Sequence, residues 1–212
     1  MAFSFLICIP FIVYLKRERA LALSYLMFFA LLPDFLHLGP LRFASHSFVG
    51  LAFMLLIALV PLIVISRPRA ALVLLAVTAS YTHLMADGFI GSVAPFWPWS
   101  TRWFQINEFN SAYDIQMELV LLALSAVILV IAMRPWEALK NVSTYSKRER
   151  RGLFLTSLPM AAMSGLQGVY FIIVSEGPGL GTARTALLAA FGIIFLASSI
   201  LLLASIRGSR YG

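Results

Sequence analysis

The chain has 212 residues, 61% of them hydrophobic and only 12% charged, with a mean hydropathy of +0.91. Soluble domains carry about 45–50% apolar and about 25% charged residues, so a soluble globular fold is excluded, as are disordered and collagen-like classes. The net charge of +7 reads as a topology signal rather than a nucleic-acid footprint, because Lys and Arg collect in the cytoplasmic loops of membrane proteins.

These figures predict an all-α, polytopic integral membrane protein, one domain over 1–212, with about seven transmembrane helices. A spanning helix needs roughly 20 mostly apolar residues. In chain order the apolar segments are 1–15, 20–38, 43–66, 70–93, 113–133, 153–174 and 185–206. The first lacks a basic stretch before it and a small-x-small site after it, and reads as retained rather than as a signal peptide. An aromatic connection with Trp97, Trp99 and Trp103 follows the fourth segment and suits an interfacial belt. Cys8 stands alone, so no intramolecular disulfide can form. Thirteen of the sixteen basic residues fall in one set of alternate connections, among them Lys16, Arg17, Arg67, Arg69 and the 147–151 run. Only Arg42, Arg102 and Arg184 fall in the other. This bias predicts a cell (inner or plasma) membrane protein with its amino terminus outside and its carboxyl terminus in the cytoplasm.

Charged and titratable groups are expensive in a bilayer and default to function or pairing. The three histidines, His37, His46 and His83, and the three aspartates, Asp34, Asp87 and Asp114, all fall near segment ends assigned to the outer face. His83 and Asp87 are spaced i,i+4 and Asp34 and His37 i,i+3, so each pair shares one helix face. Two ligands a turn apart can share one ion, and imidazole with carboxylate suits zinc, manganese or iron. The expected metal ligands are Asp34, His46, His83 and Asp87, the expected cofactor a divalent metal, zinc or manganese. Glu118, one turn after Asp114, is a candidate to orient a histidine through its second ring nitrogen.

Four strings occur in order: Leu32-Pro33-Asp34, then Leu41-Arg42-Phe43-Ala44-Ser45-His46-Ser47, then His83-Leu84-Met85-Ala86-Asp87, then Pro95-Phe96. Together they resemble the YdjM-like family of LexA-regulated, inner-membrane proteins classed as metal-dependent hydrolases, over about residues 30–118. The family pattern has a Leu-Pro-Asp-x-Asp, a His-Arg-x-x-Thr-His-Ser, a His-x-x-x-Asp and a following Pro-Phe or Pro-Leu, with an aspartate opening the next helix where Asp114 stands. Two positions depart from it. The second aspartate of the first motif is Leu36 here and the leading histidine of the second is Leu41, with His37 beside the first loss.

The resemblance and the site together imply metal-assisted hydrolysis of an ester or phosphodiester in a lipid or envelope substrate at the outer face. Asp114 or His37 is the expected general base, and Arg42 the expected partner of a phosphate. Membrane lipids and a lipid or lipid-linked substrate are the expected partners, nucleic acid is not. Two other classes stay open. One is a non-catalytic membrane subunit with a degenerate site, which the losses at Leu36 and Leu41 favour. The other is a metal-ion or proton carrier, which would need polar groups continuing to the inner face.

Overall fold

The computed structural model describes residues 2–36, 41–106, 112–128, 130–131 and 141–175. Among the described residues the protein is all helical. In chain order the helices are α1 (Ala2–Tyr14), α2 (Arg19–Ala30), α3 (Leu41–Ser45), α4 (Phe48–Ser66), α5 (Ala70–Ile90), α6 (Ala112–Ile128) and α7 (Lys147–Ser175). The expected segments 1–15, 70–93 and 113–133 correspond to α1, α5 and α6. The seventh expected segment, 185–206, lies outside the described residues.

Three expected boundaries are corrected, each for a local reason. Segment 20–38 is α helix only to Ala30, then a 3₁₀ turn over Leu32–Leu36 that carries Asp34. Pro33 disfavours the α conformation at the residue before it, so the helix stops there. Segment 43–66 breaks at His46-Ser47 into α3 and α4. Ser47 is extended (φ −126°, ψ 158°), and its hydroxyl accepts from the Gly50 amide at 3.0 Å while donating to the Ala44 carbonyl at 2.8 Å. It thus caps α4 and closes α3 at once. Gly50 is the residue that lets the two helices meet, because a Cβ there would stand 1.8 Å from the Ala44 carbonyl oxygen. Finally, the basic run 147–151 is not a loop but the first turn of α7. Ser146 and Glu149 cap it reciprocally, at 2.6 Å from the Ser146 amide to Glu149 Oε2 and 3.3 Å from the Glu149 amide to Ser146 Oγ.

The chain divides into two units, Met1–Gly152 and Leu153–Gly212. In the first, α1, α2 and α5 pack together, with α4 and α6 also against α5. Ile12, Tyr25, Leu26, Phe29, Leu72 and Leu75 are fully buried in its core. Ser80 Oγ donates to the Phe29 carbonyl at 2.8 Å, which ties α5 to the end of α2. Of the second unit, the described part is the remainder of α7.

Three stretches are long and apolar enough to cross a bilayer: Lys16–Leu36, Phe48–Ser66 and Ala70–Phe89. The middle one has a mean hydropathy of 3.0 yet is only 28% buried, with Phe53, Ile57 and Val64 exposed. Such a face is stable in hydrocarbon and not in water.

These stretches run alternately, so their polar ends separate. At one end Arg69 pairs with buried Glu18 at 3.1 Å, and the Leu21 amide donates to the Tyr145 hydroxyl at 3.4 Å. This end gathers the basic residues that flank α2, α4, α5 and α7. The opposite end gathers the last turn of the first stretch, the start of α4 and the end of α5. Asp34, His46, His83 and Asp87 all belong to it.

Candidate metal centre

Three separate elements deliver the four side chains. Asp34 comes from the 3₁₀ turn after α2, His46 from the break between α3 and α4, and His83 and Asp87 from one face of α5. His46 Nε2 lies 3.1 Å from Asp87 Oδ2 and 3.6 Å from Asp34 Oδ1. His83 Nε2 lies 3.5 Å from Asp87 Oδ2 and 3.6 Å from Asp34 Oδ1. The expected four-residue cluster is therefore brought together. His46 is fully buried and His83 nearly so, while about a quarter of each aspartate side chain is exposed. The imidazoles are edge to face, with centroids 6.1 Å apart.

The donor set fits a cation. Atoms bound to one transition metal at about 2.0–2.2 Å lie within about 4 Å of one another, and the four nitrogen–oxygen separations fall inside that limit. One donor atom each from Asp34, His46 and His83 lies within 4.8 Å of the others, so this buried group can hold a metal ion. Asp87 Oδ2 adds a second carboxylate within 3.5 Å of both imidazoles.

Ser45 fixes which nitrogen His46 offers. Its hydroxyl is 2.9 Å from His46 Nδ1 and 3.3 Å from the Arg42 carbonyl, to which it donates. With the Ser45 proton on the Arg42 carbonyl, Nδ1–H is the donor to Ser45 and Nε2 faces the carboxylates as the free ligand atom. Sequence reasoning looked to Glu118 for this orienting role and missed Ser45. The available signal was adjacency within the string that ends in His46, which carries no periodicity.

Arg42 stands one helical turn before His46, whose amide donates to the Arg42 carbonyl at 2.9 Å. Its guanidinium lies over the Trp103 ring, 5.0 Å from the centroid, and reaches Ser92 Oγ at 3.5 Å. Trp103 stacks in turn on Phe43 at 4.6 Å between centroids. Trp103 thus links Phe43 and Arg42 at this end of the molecule. Leu36 and Leu41, where the resembled family has an aspartate and a histidine, are both exposed. Asp114 falls in the first turn of α6. His37 and the side chains of Asp114 and Glu118 lie outside the described residues.

No family model, curated protein or solved structure matches the chain.

Proposed function

We propose that the protein is a membrane-bound, metal-dependent hydrolase of an ester or phosphodiester in a lipid or envelope substrate, working at the outer face of the cell membrane through a seven-helix fold. The observation that carries this reading is the convergence of Asp34, His46, His83 and Asp87 at one end of the spans. Zinc or manganese suits two imidazoles with two carboxylates. When bound, such an ion polarises an ester or phosphoryl oxygen and makes water a nucleophile near neutral pH. The rest of the work falls to the chain. Asp34, His46, His83 and Asp87 hold the ion, with Ser45 presenting the correct ring nitrogen. Asp114 or His37 takes the proton from the attacking water, whose oxygen bonds to carbon or phosphorus. The C–O or P–O bond breaks and the departing alkoxide is protonated. Arg42 neutralises a phosphate, a role its planar guanidinium fits.

The test is elemental analysis of detergent-purified protein beside a His83→Ala variant, followed by turnover of ester and phosphodiester lipids. Roughly stoichiometric metal that the variant loses, with hydrolysis by the parent alone, supports the reading. Full metal in His83→Ala would reject it. Leu36 and Leu41 favour a second reading, a membrane subunit that binds metal without turnover, and metal content without hydrolysis would select it. The carrier reading finds little support. Apart from Glu118 in α6, the inner halves of the spans are nearly free of histidines and acids.

A further inference from the structure

Beside the cluster, at the same end of α4 and α5, an apolar groove of about 370 Å³ opens. Its lining includes Phe48, Leu84, Met85, Phe89, Phe96 and Phe104, and every residue in it is apolar or glycine. The volume falls in the range of small-molecule sites, about 300–1,000 Å³. Met85, Phe89, Phe96 and Phe104 each leave about half or more of their surface exposed.

The groove and the metal ligands are built from neighbouring residues. Leu84 follows His83 and Gly88 follows Asp87 along α5. The far wall is pinned to the ligand segment through its backbone. The Ala94 amide donates to the His46 carbonyl at 3.0 Å, and the Phe48 amide to the Pro95 carbonyl at 3.1 Å. The Ile106 amide closes the loop onto the Gly88 carbonyl at 2.9 Å. Val93 and Phe104 pair through two backbone hydrogen bonds, and the residues flanking that pair, Ser92 and Trp103, are the two that Arg42 touches. Among the described residues no carboxylate lies within ion-pair distance of Arg42. The apolar slot therefore shares its backbone segments with the ligand cluster and with the two residues that Arg42 touches, at the ends of two stretches able to span a bilayer.

That combination matches a molecule with a long apolar tail and an anionic head. We propose that the groove takes one acyl chain of an anionic phospholipid drawn from the bilayer, with Arg42 on its phosphate. The lipid's ester and phosphodiester bonds then lie at the Asp34–His46–His83–Asp87 cluster. This substrate class rests on the hydrolase reading above. The Arg42 contact supplies head-group selectivity. The groove supplies register, because a chain seated along Met85 and Phe89 fixes how far the head reaches toward His83.

Photolabelling tests it independently of turnover. The full chain is reconstituted in phosphatidylcholine vesicles with a trace of phosphatidylglycerol that carries a diazirine in its acyl chain, irradiated and mapped by mass spectrometry. Label should concentrate on residues 84–89 and 95–106, well above Phe53, Ile57 and Val64 of α4, which report bulk lipid. Unlabelled phosphatidylglycerol should compete. Arg42→Gln should cut the groove label about tenfold, the scale of one lost hydrogen bond to a charged group. Met85→Trp, which fills the groove from an exposed position, should cut it as well while keeping its metal content. Label spread evenly over the α4 face, or equal label from a phosphatidylcholine probe, would overturn the proposal. Turnover of the same lipid is measured in parallel. Groove label without hydrolysis would reject the hydrolase reading and leave the lipid site standing, whereas hydrolysis with even label would do the reverse.

Discussion

Ser45 contacts both the His46 Nδ1 and the Arg42 carbonyl, and so sets the orientation of the His46 ring. With the Ser45 proton on the Arg42 carbonyl, the imidazole keeps its Nε2 lone pair toward Asp34 and Asp87. Groups that orient a metal-binding histidine are worth about 10–100-fold in affinity. Ser45→Ala should therefore lower metal affinity by that factor with helical content unchanged, as read by chelator competition and circular dichroism. His83→Ala and Asp87→Ala each remove a ligand from α5 and leave a good helix former, so both should insert normally and lose metal together. A ligating imidazole must also be neutral, so metal binding should release protons and weaken as pH falls. Titration in buffers of different ionisation enthalpy measures that release. The four candidate ligands were legible in the sequence because charge is costly in hydrocarbon and because His83 and Asp87 are a turn apart. Ser45 was not. A serine next to a histidine has no spacing signature, and its role exists only once α3 places the Arg42 carbonyl beside it.

Among the elements, the join between α3 and α4 carries the most consequence, because His46 sits in it. Gly50→Ala sets two effects against each other. Alanine gains about 1 kcal/mol of helix propensity over glycine. Its Cβ, however, would meet the Ala44 backbone oxygen at 1.8 Å, and forcing that apart costs about 1–3 kcal/mol or more. The clash should win. Lower thermal stability and weaker metal binding are expected together, because α3 and His46 must move. A Gly50→Ala protein as stable as the parent would show that the close approach is dispensable. At the other end of the molecule, Ser146→Ala removes half of a capping box and should cost about 1 kcal/mol. Burial works to raise the Glu149 carboxyl, but the hydrogen bonds from Ser146 and the nearby Arg17 charge hold it below the ordinary range. A depressed carboxylate stabilises above its unfolded pKa, near 4.3, and loses that contribution as pH falls through the lower folded value. The Ser146→Ala deficit should therefore shrink in acid, as thermal melts across pH would show. Hydropathy located these helices well, since α1, α5 and α6 follow the apolar runs. It could not locate the break at His46-Ser47 or the start of α7, because caps and glycine contacts are polar or steric events that leave a hydrophobic run uninterrupted.

At the scale of the whole molecule, the polar chemistry sorts to opposite ends of the spanning stretches. The Asp34–His46–His83–Asp87 cluster, Arg42 and the aromatic loop through Trp103 occupy one end. Arg17, Arg67, Arg69 and the first turn of α7 occupy the other, held by the Glu18–Arg69 pair and by Tyr145 on the start of α2. The sequence predicted this separation from the distribution of its basic residues alone, because a lysine or arginine left in a translocated loop works against the orientation of the whole bundle. The placement of Glu18 was beyond such counting. It is buried against Arg69, with Arg17 and Glu149 close by, a contact between the starts of α2 and α5 that only the fold creates. If the basic end is cytoplasmic, the metal cluster and its groove open to the outer leaflet, and the two ends must label from opposite sides. In a Cys8→Ser background, Thr101→Cys should react with a membrane-impermeant maleimide added to intact cells. Lys147→Cys should react only after the membrane is opened. Both positions are exposed, so a lack of reaction reports the side rather than burial. Reaction of Lys147→Cys in intact cells, with Thr101→Cys protected, would invert the orientation and turn the site toward the cytoplasmic leaflet. Reaction of both from one side would break the alternation of the spans, and the outward-facing hydrolase would fall with it.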